Sequence, residues 1–372
     1  MAIRAVTFAS HDCDAFVEEV KAKVASYFES RHLSTKASAG MVLKTVILFA
    51  AFWVPYGLIL SRQFGPWQML GLCVVMGVAL AGIGFGVSHD ALHGAYSSNP
   101  KINTALGLSF DLMGANGYMW KITHNVVHHT YTNIHPIDED LEVTPLLRLS
   151  PLAKHRPFHR FQHFYALFAF SMSTLNWVFW KDFDYFTRRT IGPYIDKKHT
   201  AGQIALLAFS KVFYVFWSIV LPLMVLHIAL WQFAIGWLAM HLVGGTILGV
   251  VFQLAHVVEQ TAHPVPDELG RMPNGWMVHE MLTTANFCTR NPLMSWYVGG
   301  LNFQIEHHLF PKTCSVHYPK IQYIVREVAA KHNIPYYENP TFFGALRSHL
   351  RMLRRLGSGE SPNIIRHAVA AA

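Results

Sequence analysis

Charge is what this sequence has least of. Only 14% of its 372 residues are Asp, Glu, Lys or Arg, against about a quarter in a water-soluble domain. Cysteine is nearly missing as well. Cys13, Cys73, Cys288 and Cys314 are scattered, form no Cys-x-x-Cys pair, and Cys73 lies inside an apolar run. That excludes a disulfide framework and suits a reducing compartment. The first 40 residues have no early apolar stretch and carry Asp14, Glu18, Glu19 and Glu29, so they do not read as a secretory signal. The net charge is +8, yet no nucleic-acid recognition module accompanies it. The basic residues fall mostly outside the apolar runs, as on a face turned toward anionic lipid.

Apolar residues are what it has in excess: 52% of the chain, with 13% aromatic and a mean hydropathy of +0.25. Four runs, 41–60, 67–87, about 205–226 and about 233–258, are long enough to cross a hydrocarbon core, which takes about twenty residues at about 1.5 Å each. Short links at 61–66 and 227–232 predict two transmembrane hairpins. The segments 102–120 and 161–180 are apolar but carry Asn103, Asp111, Asn116, His163 and Asn176, and read as interfacial or partly re-entrant helices. Residues 14–29 place Phe16, Val20, Val24 and Phe28 at helical spacing. Such a helix either lies on the membrane interface or packs on a polar domain. Eleven Lys/Arg lie between 88 and 202 and eleven beyond 259, with one in the first link and none in the second. The positive-inside rule then places both termini in the cytoplasm. The expected architecture is all-α and membrane-embedded, a single domain over 1–372. Its parts are an N-terminus (1–40), a first hairpin (41–87), a cytoplasmic segment (88–204), a second hairpin (205–258) and a cytoplasmic segment (259–372). The last two cytoplasmic parts would form a helical cap.

Three of the clusters formed by its 23 histidines carry the functional reading. They are His89-Asp-Ala-Leu-His93, His124-Asn-Val-Val-His128-His129 and Gln304-Ile-Glu-His307-His308. On helical backbone, ligands four residues apart share one face. Seven imidazoles and one amide converging from three segments point to a metal site, and imidazole suits iron, zinc, copper and nickel. That is too many ligands for one tetrahedral zinc, so two metals are expected. His256, at the inner end of the fourth run, is costly there without a partner or a role, and reads as a further ligand. His227 falls on the far side. His241 is mid-span and reads as a hydrogen-bonded interior residue. His11, His32, His155, His159, His199, His332, His349 and His367 stand alone and read as ordinary side chains. Metal-bound imidazoles usually donate their other N–H to a carboxylate or carbonyl. Asp90 and Glu306 are expected in that role; the acids at 138–140 read equally well as loop residues.

The His-x3-His, His-x3-His-His and Gln-x2-His-His boxes resemble those of the membrane fatty-acid desaturase family, in order and in placement against two hairpins. The stretches His89-Asp-Ala-Leu-His-Gly-Ala-Tyr-Ser-Ser98, His128-His-Thr-Tyr-Thr-Asn-Ile134 and Gly299-Gly-Leu-Asn-Phe-Gln-Ile-Glu-His-His-Leu-Phe-Pro311 strengthen the likeness. The glutamine opening the third box resembles the front-end, delta-6-type subgroup, which desaturates between an existing double bond and the carboxyl end. The likeness runs from about residue 14 to about residue 356. It implies two iron ions held by His89, His93, His124, His128, His129, His307 and His308. His256 matches the family's extra histidine after the fourth span, and Gln304 takes a position that is histidine in stearoyl-type enzymes. The His-Pro-Gly-Gly mark of a fused cytochrome b5 domain is absent, so the expected electron source is an external ferredoxin-like carrier.

The resemblance implies an oxidoreductase that reduces O2 to water while desaturating a lipid-linked or thioester-linked acyl chain. Hydroxylation or acetylenic-bond formation on the same scaffold stays open. So does a membrane metal transporter, which would need ligands through the membrane's depth. Trp296, Tyr297 and Gly299 are candidates for the substrate tunnel. Lys121, Arg347, Arg351, Arg354 and Arg355 are candidates for carrier docking, or else for contact with anionic head groups. The expected setting is a bacterial inner membrane with the site on its cytoplasmic side.

Overall fold

A computed structural model describes residues 6–9, 14–141, 144–195 and 197–366. His11, Cys13 and His367 lie outside them. The long helices start where the sequence offers caps. After α1 (Asp14–Ser30), Ser38 accepts a hydrogen bond from the Met41 amide and opens α2 (Ala39–Leu60). Pro66, in the first turn where its missing N–H costs nothing, opens α3 (Pro66–Leu92). Asn99 caps α4 (Pro100–Leu112), and Asn116 caps α5 (117–131). After α6 (Gln162–Ser171), Thr200 and Gln203 cap α7 (Ala201–Val225) reciprocally. Then come α8 (Leu230–His256), α9 (Trp276–Thr283), α10 (Gln304–Leu309), α11 (Tyr318–Lys331) and α12 (Phe342–Gly357). Two pairs of two-residue parallel strands, 263–264 with 364–365 and 286–287 with 338–339, are added to an otherwise helical chain.

Among the described residues, α2, α3, α7 and α8 are the four helices long and apolar enough to cross a membrane. Helices α4 and α6, of 13 and 10 residues, are too short to span one. Val42, Val46, Val75, Phe209 and Val212 on the long helices are exposed, as lipid-facing residues are. Helix α3 is the hub, with α2 and α8 packed along it. The hairpin expected of α7 and α8 is not their main packing: α8 lies chiefly against α3 and α6, while α7 leans on α4. Glycines explain the choice. A Cβ on Gly77 would sit 2.5 Å from the Met240 carbonyl oxygen, and one on Gly245 2.2 Å from that of Ser171. Close backbone approach of this kind drives helix association where lipid removes the hydrophobic force. Where α7 and α8 do meet, Tyr214 hydrogen-bonds His241, whose Nδ1 is 3.0 Å from the Thr174 hydroxyl. His241 is thus the satisfied interior residue its position suggested.

Helix α1 settles between its two readings. Phe16 and Val20 are buried with Met281, Ile305, Val325 and Val328, and Val24 and Phe28 with Phe303, Tyr318 and Ile321. Its apolar face is spent on α9–α11, leaving none for a membrane interface.

Gly245→Ala is expected to lower thermal stability in detergent by about 1–3 kcal/mol, because the added methyl overlaps backbone. Gly57→Ala, with open space around its Cβ, is expected to be neutral or mildly stabilising. A melting curve on both variants checks the contrast.

Candidate metal centre

The imidazoles are delivered by helix ends. A widened turn at Gly84–Ser88 keeps α3 helical past its apolar run, so His89 rides the helix and His93 follows at its close. A second widened turn, Lys121–His128, carries His124 and His128 within α5. His256 is the last residue of α8, and α10 supplies His307 and His308. With His129, which follows directly on the second widened turn, all eight are buried or nearly so.

They form two groups. His89, His93, His124 and His307 each bring a ring nitrogen within 4.8 Å of the others, and so do His128, His256 and His308. His129 adjoins both, through His307 and His308. Nitrogens bound at about 2.0–2.1 Å to one ion lie up to about 4 Å apart, so each group needs little contraction. Turn spacing did not foresee this partition. His124 and His128 serve different groups because the widened turn changes their phase. The neighbours His307 and His308 likewise divide between them.

Whether the residues fit metal ions is tested by their hydrogen bonds. The Nε2 atoms of His93, His124, His128, His307 and His308, both nitrogens of His129 and His256, and Nδ1 of His89 are buried with no partner. Native interiors leave few such atoms unsatisfied. The opposite nitrogens are held. His128 Nδ1 is 3.1 Å from both Asp138 oxygens, His308 Nδ1 2.7 Å from Glu280, His307 Nδ1 3.2 Å from the Tyr318 hydroxyl, and His124 Nδ1 3.4 Å from Asp140. One nitrogen braced and one free is the pattern of metal-binding histidine. The donor set fits.

Burial pushes the imidazoles of His93, His129, His307 and His308 well below the usual range, and that of His124 to about 3. Neutral imidazole is the form that binds metal. At His128 burial acts the same way, but the Asp138 carboxylate outweighs it and raises the pKa. Burial opposes ionisation of Asp140, yet Lys181 and His124 hold it well below the ordinary carboxylate range. Burial drives Glu280 upward, a tendency that a cation beside His308 would offset.

The acids expected to brace the imidazoles are employed elsewhere. Asp90 is 3.7 Å from His89 Nδ1 and accepts instead from the Ser315 amide (3.1 Å) and hydroxyl (2.8 Å) and from Cys314. Glu306 accepts from Asn286 and Tyr336, each at 2.8 Å, and ties α10 to the segment before it. Glu280 and Tyr318 do the bracing with Asp138 and Asp140. Glu280 lies far from every histidine box in sequence and Tyr318 ten residues beyond the third, and nothing in the linear chain marked either.

Against the first group lies a cavity of about 520 Å³, a size typical of small-molecule sites. Phe85, Phe110, Trp120, Trp177 and Phe252 line it, and His89, His124, Gln304 and His307 close one side. The exposed apolar residues Leu146, Phe168, Met172 and Trp180 form its mouth. The expected tunnel residues lie elsewhere. The Tyr297 hydroxyl donates to the Val78 carbonyl at 2.9 Å, Trp296 is 40% exposed, and Gly299 (φ +63°) lies against the Phe85 backbone, where a Cβ would come within 2.5 Å. That stretch docks onto α3, and the chain reaches the cavity only beyond it, at Leu301, Gln304 and His307. Arg347, Arg351 and Arg354 are exposed on α12, Arg355 pairs with Glu360, and Lys121 is exposed on α5. Among the lone histidines, His155, His332 and His349 have ordinary partners in Gly357, Glu19 and Val257.

Residues 65–340 match the fatty acid desaturase family. The chain is 36% identical, over 92% of its length and 92% of the relative's, to the sn-1 linoleoyl-lipid 6-desaturase of Arthrospira platensis. It is 35% identical to the enzyme of that name in Synechocystis, over 90% of the chain and 93% of the relative. An acyl-lipid (8-3)-desaturase of Physcomitrium patens is 33% identical over 95% of the chain and 74% of its own length.

Glu280→Gln and Asp138→Asn each remove the charge that braces one imidazole of the second group. Each is expected to weaken metal affinity about 10- to 100-fold, measured by equilibrium metal titration of the purified protein.

Proposed function

The chain belongs to the fatty acid desaturase family, and we propose that it is an O2-dependent di-iron enzyme placing a front-end, delta-6-like double bond in a lipid-linked unsaturated acyl chain. One observation carries the reading: eight imidazoles in two groups, their free nitrogens unsatisfied, with His89, His124 and His307 of the first group at the wall of an aromatic cavity with an apolar mouth. The names of the two cyanobacterial relatives support a linoleoyl lipid as substrate.

An unactivated methylene C–H is beyond side-chain acid–base chemistry, and such oxidation is left to a cofactor. Iron bound by the two groups would supply it, with O2 taking two electrons from the acyl chain and two from an outside donor and leaving as water. The protein's own residues do the rest. Phe85, Phe110, Trp120 and Phe252 hold the chain against the imidazoles and keep water out, so position decides which carbons react. Asp138, Asp140, Glu280 and Tyr318 fix the tautomer and tilt of four imidazoles. Gln304 faces the cavity beside His307 and bounds the reacting segment.

In the membrane, the charge distribution supports a cytoplasmic site and cytoplasmic termini, in a bacterial inner membrane. A ferredoxin-like carrier would dock on the basic face that includes Arg347, Arg351, Arg354 and Arg355, with Lys121 as a second contact.

Metal analysis of active protein is expected to give about two irons per chain; stoichiometric zinc without iron would refute the assignment. His128→Ala, His129→Ala, His307→Ala and His308→Ala should each abolish product while the protein still inserts in the membrane. Product mass separates desaturation, a loss of two hydrogens, from hydroxylation, a gain of one oxygen. The purified chain with substrate and O2 alone should not turn over repeatedly, and reduced ferredoxin should restore turnover.

A further inference from the structure

A cavity for hydrocarbon has no need of hydrogen-bond donors, yet one wall of this one carries two. The segment after α6 turns wide at Trp177–Lys181. That turn sets Asn176, Trp177, Trp180 and Lys181 together on the cavity wall. Lys181 is only 11% exposed, and among the described residues Asp140 is its one hydrogen-bond acceptor, at 3.3 Å. An ammonium has three protons to give; besides Asp140 this one meets the faces of Trp177 (5.9 Å) and Tyr185 (5.4 Å), and no second acceptor among the described residues claims the other two. The Asn176 side chain has no hydrogen-bond partner among the described residues. Both donors adjoin Trp180 at the mouth. Through Asp140, whose other oxygen is 3.4 Å from His124 Nδ1, a single carboxylate separates Lys181 from an imidazole of the first group. The polar wall therefore lies between the entrance and the imidazoles, and most of the remaining lining is aromatic and aliphatic.

We propose that Lys181 and Asn176 bind the acyl carbonyl of the substrate and thereby set how many carbons separate it from the reacting methylenes. The inference rests on the front-end reading above. In a chain desaturated near its carboxyl end, the carbonyl is the one polar group that comes close to the metal ligands. An anchor there measures from that end, since both donors and the imidazoles of His89, His124 and His307 stand at fixed places on the lining of one cavity. A neutral carbonyl accepts from both an ammonium and an amide. Glycerolipid esters and thioesters present the same carbonyl oxygen and differ in the group bonded to the carbonyl carbon.

The test uses the full chain in membranes of a host without polyunsaturated lipids, fed palmitoleate or linoleate, with double-bond positions mapped by mass spectrometry in isolated glycerolipids and in the acyl-thioester pool. Wild type should hold one distance from the carboxyl carbon on both chain lengths. Lys181→Met and Asn176→Leu should spread the double bond over neighbouring positions and raise KM about tenfold, the cost of a lost hydrogen bond to a charged or buried group. Lys181→Arg, which keeps both the Asp140 pair and spare donors, should retain a single position. Asp140→Asn is the contrasting variant: it loosens His124, so it should lower rate and iron content without moving the double bond. Asn176→Leu leaves Asp140 untouched, so a shift in that variant cannot come from a disturbed imidazole. If wild type keeps its distance and neither Lys181→Met nor Asn176→Leu moves the double bond, the anchor is refuted alone. If wild type counts from the methyl end, the front-end reading fails and the anchor with it.

Discussion

Everything in this molecule answers to one constraint: ten imidazole nitrogens kept dry, close together and without hydrogen-bond partners. Each such group costs about 1–3 kcal/mol if left so. A chain does not gather so many for its own stability. Positively charged ions joining the nitrogens would satisfy them, and the surroundings fit that. The bracing acids Asp138, Asp140 and Glu280 are buried too, and each has its own support. Asp138 accepts from the Asn133 amide, Glu280 from the Thr132 hydroxyl, and Asp140 from Lys181. The unsatisfied nitrogens are thus the innermost layer of a network whose bracing acids each have a donor of their own.

Widened helical turns are the local device that makes this possible. Three of them, at Gly84–Ser88, Lys121–His128 and Trp177–Lys181, border the imidazoles or the cavity beside them. Each sacrifices hydrogen-bond geometry, which is why such turns cluster at functional positions. What is gained is phase. The first lets α3 carry His89 without ending. The second sends His124 and His128 to different groups. The third turns aromatic and polar residues together onto the cavity wall. The fourth, Phe216–Val220 in α7, borders neither, and has no such explanation.

This also separates what could be read in the sequence from what could not. The four long helices were legible, because apolar run length is a local property; their ends moved by only a few residues. That the histidine boxes belong to one site was legible for the same reason, and the structure brings them together. The partition into two groups was not, since it depends on backbone phase that residue spacing does not encode. The partners Glu280 and Tyr318 were hidden because they meet His308 and His307 only through tertiary packing. Asp90 and Glu306 were misplaced because adjacency in sequence puts a carboxylate beside a histidine without aiming it there. On helical backbone, neighbours point about 100° apart. Trp296 and Tyr297 failed as tunnel residues for a related reason: Gly299 brings their segment flush against α3, and that docking consumes their faces.

The same docking explains why the cavity opens where it does. Helix α3 is closed on the α2 side by residues 296–299 and along its length by α8. The cavity beside the imidazoles reaches the surface along α6 and the turn at Trp177–Lys181, where Phe168, Met172 and Trp180 are exposed. An entrance lined by large apolar side chains would be a liability in water. It is the natural one for a substrate that never leaves a membrane, because an acyl chain can pass from bilayer to protein with no change in the polarity around it. The polar contacts are then reserved for the one part of the molecule that differs from hydrocarbon. On the proposed reading, binding and positioning would be separable tasks: the apolar wall would retain the chain, and the few polar groups would decide its register against the imidazoles.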